Sequence, residues 1–115
     1  MSQPTVRELH NQAMALTTPT IYTDLSDDEK RSLFRQGLEL ERQAADRIPK
    51  APESEPTRSI LYRSAAWMAV HAGEPDEALR LAREGLAGFP PPSVAAELDD
   101  VIAFVEHGTV PSDGD

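Results

Sequence analysis

Cysteine is absent from this chain of 115 residues, which excludes disulfides and thiolate chemistry and suits a reducing cytoplasm. Long apolar runs are missing as well. None approaches the roughly 20 residues needed to cross a bilayer, so no membrane span is expected. The opening "MSQPTVRELH" has no cationic start followed by an apolar stretch, which argues against a secretory signal. Positive charge is in the minority, with 11 Lys and Arg against 20 Asp and Glu and a formal charge of −9. Phosphate backbones and anionic lipid surfaces are repelled by such a field, so neither nucleic acid nor membrane is an expected partner. The expectation is one cytoplasmic domain, large enough to bury a core without staples.

Catalytic motifs are also missing. No glycine-rich loop ends in Gly-Lys-Ser/Thr, and no Gly-x-Ser-x-Gly elbow occurs. His10, His71 and His107 are far apart and form no His-x-x-x-His pair, so no metal site and no cofactor is expected. Two acidic clusters, Asp27–Asp28–Glu29 and Asp99–Asp100, invite comparison with a carboxylate-based enzyme. The first is explained by a helix N-terminus and the second by a polar helix face. Arg31, Arg35 and Arg42 share a segment with Glu39 and Glu41, and read as a solvated face of mixed charge.

What the chain does have is helical periodicity, with no sustained two-residue alternation. The spacing predicts an all-α fold of about five helices. The first spans 5–17, with Val6, Leu9, Ala13 and Leu16 on one face and Pro4 available to open it. Pro19 breaks it, and Ile21, Tyr22 and Leu25 are expected to fold back on the core within an irregular 18–25 connection. The second starts at Ser26, whose pairing with Glu29 makes a capping box, and runs to Ile48. Gly37 inside it costs about 1 kcal/mol relative to alanine and makes sense where another helix approaches closely. "PKAPESEP" is a stiff connection. The third helix spans 57–72, with Leu61, Ala65, Met68, Ala69 and Ala72 in one stripe and Gly73 to end it. The fourth starts at Pro75, presents Ala78, Leu79, Ala82 and Leu86, and stops at Gly88 before Pro90, Pro91 and Pro92. The fifth spans 93–107, with Val94, Leu98, Val101, Ile102 and Val105 inward and Gly108 at its end. Residues 109–115 read as a disordered tail.

The stretch "YRSAAWMAVHAGEPDEALRLAREGLAGFP" resembles a tetratricopeptide repeat. The repeat's opening aromatic falls on Tyr62 and its small crossing residue on Ala66. The turn glycine is Gly73, the first inner alanine of the second helix is Ala78, the later small-plus-leucine pair is Gly85–Leu86, and the closing proline is Pro90. Ala65, Ala69 and Ala82 stand where larger residues are usual, so the helices must sit closer together or be filled in from neighbours. A degenerate copy over 5–48 places Phe34, Gly37 and Leu38 at matching positions of its second helix. The resemblance implies a single domain over 1–108: a degenerate hairpin at 5–48, a clearer repeat at 57–90, and a capping helix at 93–107. In that cap Glu97, Asp99, Asp100 and Glu106 would keep the outer face wet. The chain as a whole is similar to short, repeat-bearing bacterial proteins.

In stacked hairpins of this kind the first helix of each pair lines a concave surface. The resemblance therefore puts Ile60, Arg63, Trp67, Val70 and His71 along a groove. Arg63, Trp67 and His71 are spaced by four and share one line on the helix. A half-exposed tryptophan beside an arginine is typical of an interface anchor, although a lone tryptophan is as readily core. Arg63 could meet a partner carboxylate, or Arg58 and Arg63 could simply balance Glu53 and Glu55. The expected function is a non-catalytic protein–protein interaction module that binds a peptide or protein partner, with self-association as a way to enlarge its surface. The alternatives are an accessory or regulatory subunit that stabilises an enzyme or transcription factor, and a small carboxylate-based enzyme.

Overall fold

A computed structural model describes residues 3–22 and 24–108 of the chain, with the side chains of Ile21 and Tyr22 outside the description. Among the described residues the fold is all-α. The helices are α1 (Val6–Thr17), a single-turn α2 (Pro19–Tyr22), α3 (Asp27–Asp46), α4 (Thr57–His71), α5 (Pro75–Leu86) and α6 (Pro92–His107), with a 3-10 turn at Pro52–Ser54.

The boundaries follow local chemistry. Ser26 accepts from the Glu29 N–H while Glu29 accepts from the Ser26 N–H, as the sequence predicts. The Ser26 backbone and then its hydroxyl hold the Glu29 carboxyl below its ordinary range. The start of α1 differs from expectation: Thr5 and Glu8, rather than Pro4, cap it through a second reciprocal box. Pro19 ends α1 but opens the four-residue α2 instead of an irregular path. Helix α3 stops at Asp46, two residues short of Ile48, which sits half-buried after the end. Between α4 and α5, Gly73 takes φ 77°. The Glu74 N–H then reaches Ala69 O at 2.9 Å and the Gly73 N–H reaches Val70 O at 3.1 Å, which closes a complete Schellman turn. Helix α4 has no side-chain cap on its own first residue; Glu55 supplies one by accepting from the Ser59 N–H. The other carboxylate oxygen of Glu55 accepts from the Phe89 N–H and so ties the loop after α5 to the start of α4.

Each long helix packs against the next, and contacts between early and late positions show that α1 and α3, α3 and α4, and α4 and α5 run antiparallel. His10 meets Glu41 across α1 and α3, and Gly37 lies against Ala13 and Thr17. Phe34 meets His71, and Tyr62 meets Asp46, across α3 and α4. Arg58 meets Glu84 across α4 and α5, and Arg83 meets Glu106 across α5 and α6. Helix α6 also returns to α4 in parallel register, through Arg63 with Glu97 and Trp67 with Phe104. Helix α4 is thus surrounded by α3, α5 and α6. This explains why its sequence is apolar over much of its circumference.

The core is built largely from alanine where helices cross. Ala13, Ala44, Ala45, Ala65, Ala66 and Ala69 are fully enclosed, as are Ala78 and Ala82. A Cβ on Gly37 would lie 2.5 Å from Thr17 Cγ2, and one on Gly85 would lie 3.0 Å from both Tyr62 Cβ and Leu98 Cδ1. Close approach at these two glycines therefore stands in for the missing large side chains. The predicted stripe of α5 needs a correction: Leu81 is the enclosed leucine and Leu79 is half-buried. The acids of α6 also differ from expectation, because Glu97 and Glu106 reach back to α4 and α5 instead of only facing solvent. Leu25 is half-buried; the inward packing expected of Ile21 and Tyr22, and the tail expected at 109–115, lie outside the described residues. Among the described residues no helix is long and apolar enough to cross a membrane.

Candidate functional site: an aromatic ladder on the open arc of α4

Between Arg58 and His71 the residues that are not buried are Ile60, Arg63, Ser64, Trp67, Val70 and His71. The five candidates of the sequence thus share one open arc of α4, joined by Ser64. The arc arises because α3, α5 and α6 cover the remaining directions, and every other residue in that span is buried.

The arc is not made of free side chains. Arg63 Nη1 donates to Glu97 Oε1 of α6 at 2.5 Å, and Arg58 Nη2 donates to Glu84 Oε2 of α5 at 2.7 Å. Neither arginine has Glu53 or Glu55 as its partner. The reason is geometric: the α4–α5 and α4–α6 crossings bring acids from distant sequence closer than the connection can. Trp67 is half-buried, with its ring edge-on to Phe104 at 5.8 Å and tilted against His71 at 6.5 Å. His71 in turn stacks on Phe34 at 4.8 Å. Its other side remains exposed, yet burial of the stacked face lowers its pKa below the ordinary histidine value, which favours the neutral ring at pH 7.

Four rings therefore form a ladder across three helices: Phe34 of α3, His71 and Trp67 of α4, and Phe104 of α6. Phe34 and Phe104 were read only as repeat or unassigned positions in the sequence. The spacing Trp67–His71 pointed to one helix line, but pairing across helices has no local signal.

At the Phe34 end the ladder borders a cavity of about 450 Å³ open to solvent. Met14, Thr17 and Thr18 close it from the end of α1, and Thr20 from α2. Lys30 and Phe34 line it from α3, and His71 from α4. The hydroxyl of Thr17 donates to Ala13 O and that of Thr20 to Thr17 O, so both hydroxyls are spent on backbone carbonyls.

Several buried polar groups escaped the sequence reading. Glu41, read as part of a solvated charged face, is fully enclosed, and both its oxygens lie 3.0 Å from His10 Nδ1. Arg58 is buried with its guanidinium 4.8 Å above the Tyr62 ring, and its Nη1 has no hydrogen-bond partner among the described residues. A Cβ on Gly88 would collide with that nitrogen, which accounts for glycine there. The Tyr62 hydroxyl donates to Asp46 Oδ1 at 2.6 Å; burial first, and that bond second, push its pKa up. These groups pair with one another inside the helix layers and do not converge on an open cleft. Among the described residues no cluster of His, Cys, Asp and Glu could hold a metal ion. Comparison with protein-family models, with curated proteins and with solved structures finds no match for this chain.

Proposed function

We propose that this chain is a non-catalytic helical module that takes a peptide or protein partner on the open arc of α4 and the rings beside it. The observation that carries the reading is the ladder Phe34–His71–Trp67–Phe104, which presents partly exposed aromatic surface across three helices. Rigid aromatic side chains, held by packing and bordered by satisfied polar groups, are what interface anchors are made of. Arg63 and Glu97 form such a border. The likeness to tetratricopeptide hairpins is part of the same reading. It is supported by the antiparallel α4–α5 pair, the left-handed Gly73, and the close crossing of Gly85 on Tyr62.

The test is partner capture with the wild-type chain and with Trp67→Ala combined with Phe104→Ala, after circular dichroism has shown equal helicity. A partner retained by the wild type and lost by the double variant supports the reading. Equal retention by both, or capture of nothing beyond bare resin, refutes it. Charge reversal at Arg63 is a poorer probe, because it would set two acids against each other across α4 and α6.

A further inference from the structure

We propose that the cavity between the ends of α1 and α4 and the start of α3 binds a small organic carboxylate with an apolar body, its carboxylate paired with Lys30. The proposal is separate from the docking role of the α4 arc, and either can fail without the other.

Size and lining set the first half of the ligand. About 450 Å³ lies within the range of small-molecule sites. Met14 and Phe34 offer apolar surface, and Thr17 and Thr20 have turned their hydroxyls to backbone carbonyls, which leaves them little polar capacity. An aliphatic or aryl body of modest size is what such walls reward.

Charge sets the second half. Lys30 is the one lysine or arginine in the lining, it is half-buried, and its ammonium has no ion-pair or hydrogen-bond partner among the described residues. Its position is also electrostatically awkward, because a cation in the first turn of α3 faces the positive end of the helix dipole. No acid lines the cavity, and in the first turn of α3 Asp28 pairs with Arg31 and Glu29 serves the Ser26 cap, while Asp27 makes no ion pair with Lys30. The other titratable group in the lining is His71, which burial holds toward its neutral form. A ligand cation would therefore meet an ammonium with no acid in the cavity lining. A phosphate would bring two negative charges to a single ammonium. A single carboxylate matches the one positive charge of the lining.

The test uses three probes of equal chain length, octanoate, 1-octanol and octylammonium, titrated into the full chain by calorimetry with NMR shifts as a site readout. The expected order is octanoate tightest, by about tenfold over octanol at low salt, and octylammonium weakest. Lys30→Met should bring octanoate down to the octanol affinity and leave octanol unchanged. Lys30→Arg should preserve the preference. Shifts should centre on Met14, Phe34 and His71. Equal binding of octanoate and octanol by the wild type overturns the proposal, as does a preference that survives Lys30→Met, or the absence of shifts at those three residues.

Discussion

Replacing His10 with alanine probes how an enclosed acid is tolerated between α1 and α3. The Glu41 side chain has 0% exposure, and its two oxygens each sit 3.0 Å from His10 Nδ1. No other hydrogen-bond partner of that carboxylate occurs among the described residues. Breaking a fully buried pair from one side costs about 3–5 kcal/mol. Here the histidine keeps 38% exposure, so water can follow its removal and relieve part of that cost. The expected loss is about 2–3 kcal/mol, or a fall in Tm of roughly 10 °C for a domain of this size. Replacing both partners, His10→Leu with Glu41→Leu, removes the stranded charge and should return stability to within about 1 kcal/mol of wild type. Urea denaturation of His10→Ala, and of the cycle made by wild type, His10→Leu, Glu41→Leu and the double variant, followed by helical ellipticity, measures the loss and the coupling. A loss below about 0.5 kcal/mol for His10→Ala, or a double variant destabilised by the sum of the singles, would show that Glu41 does not depend on His10.

Other outcomes follow from the same contacts. Gly37→Ala should lower stability by about 1–2 kcal/mol even though alanine favours helix by about 1 kcal/mol, because the added Cβ would lie 2.5 Å from Thr17 Cγ2; a stabilised variant in thermal melts would refute the close crossing of α1 on α3. His71 has a folded-state pKa lowered by burial, so as pH falls below the ordinary value of 6.5 the unfolded chain takes the proton first. Stability is then lost as pH falls from that value through the folded one, and His71→Phe should show less of this loss; parallel acid profiles of the two proteins would sink the assignment. Tyr62 is pushed up by burial and by its bond to Asp46, so above its ordinary value of 10.0 the unfolded chain ionises while the folded one stays protonated. Tyr62→Phe should lose about 1 kcal/mol at neutral pH yet fall less steeply in alkali, a difference that alkaline melts of both proteins can read.

Much of the helical frame was legible because punctuation is local. Ser26 with Glu29, Gly73 before Pro75, and Gly108 each act within a turn of their own position, and each performs the role its residue type dictates. The Thr5–Glu8 box has the same spacing and could have been read from "TVRE". The open arc of α4 was also legible, since a helix with one uncovered side exposes residues at 3–4 spacing. Partners across helices were not. Nothing near Arg58 announces Glu84, and nothing near Glu41 marks it as enclosed. A charged residue surrounded by other charges reads as solvated until the neighbouring helix is placed over it. Leu81 was legible and was passed over: with Ala78, Ala82 and Gly85 it completes the i, i+3, i+4, i+7 stripe of one covered face, and Leu79 lies outside that stripe.

The way the chain spends its charges bears on how the ladder and the cavity can recognise anything. Arg58 with Glu84, Arg63 with Glu97, and Arg83 with Glu106 hold α4, α5 and α6 together, while Arg35 reaches Glu74 beyond the end of α4. Of the lysine and arginine side chains, those of Arg7 and Lys30 alone bond nothing among the described residues. Where the cations are already paired, an incoming acid gains little Coulombic selectivity, since it must first displace an old partner. Attraction to the Trp67–Phe104 end of the ladder must then come from apolar burial and ring contacts, which added salt does not weaken. At the Phe34 end the unpaired Lys30 introduces a term that salt does screen, over a length of about 8 Å at physiological ionic strength. One ladder therefore carries two recognition regimes, and a titration in salt separates them: affinity at Trp67 stays level while affinity at Lys30 declines.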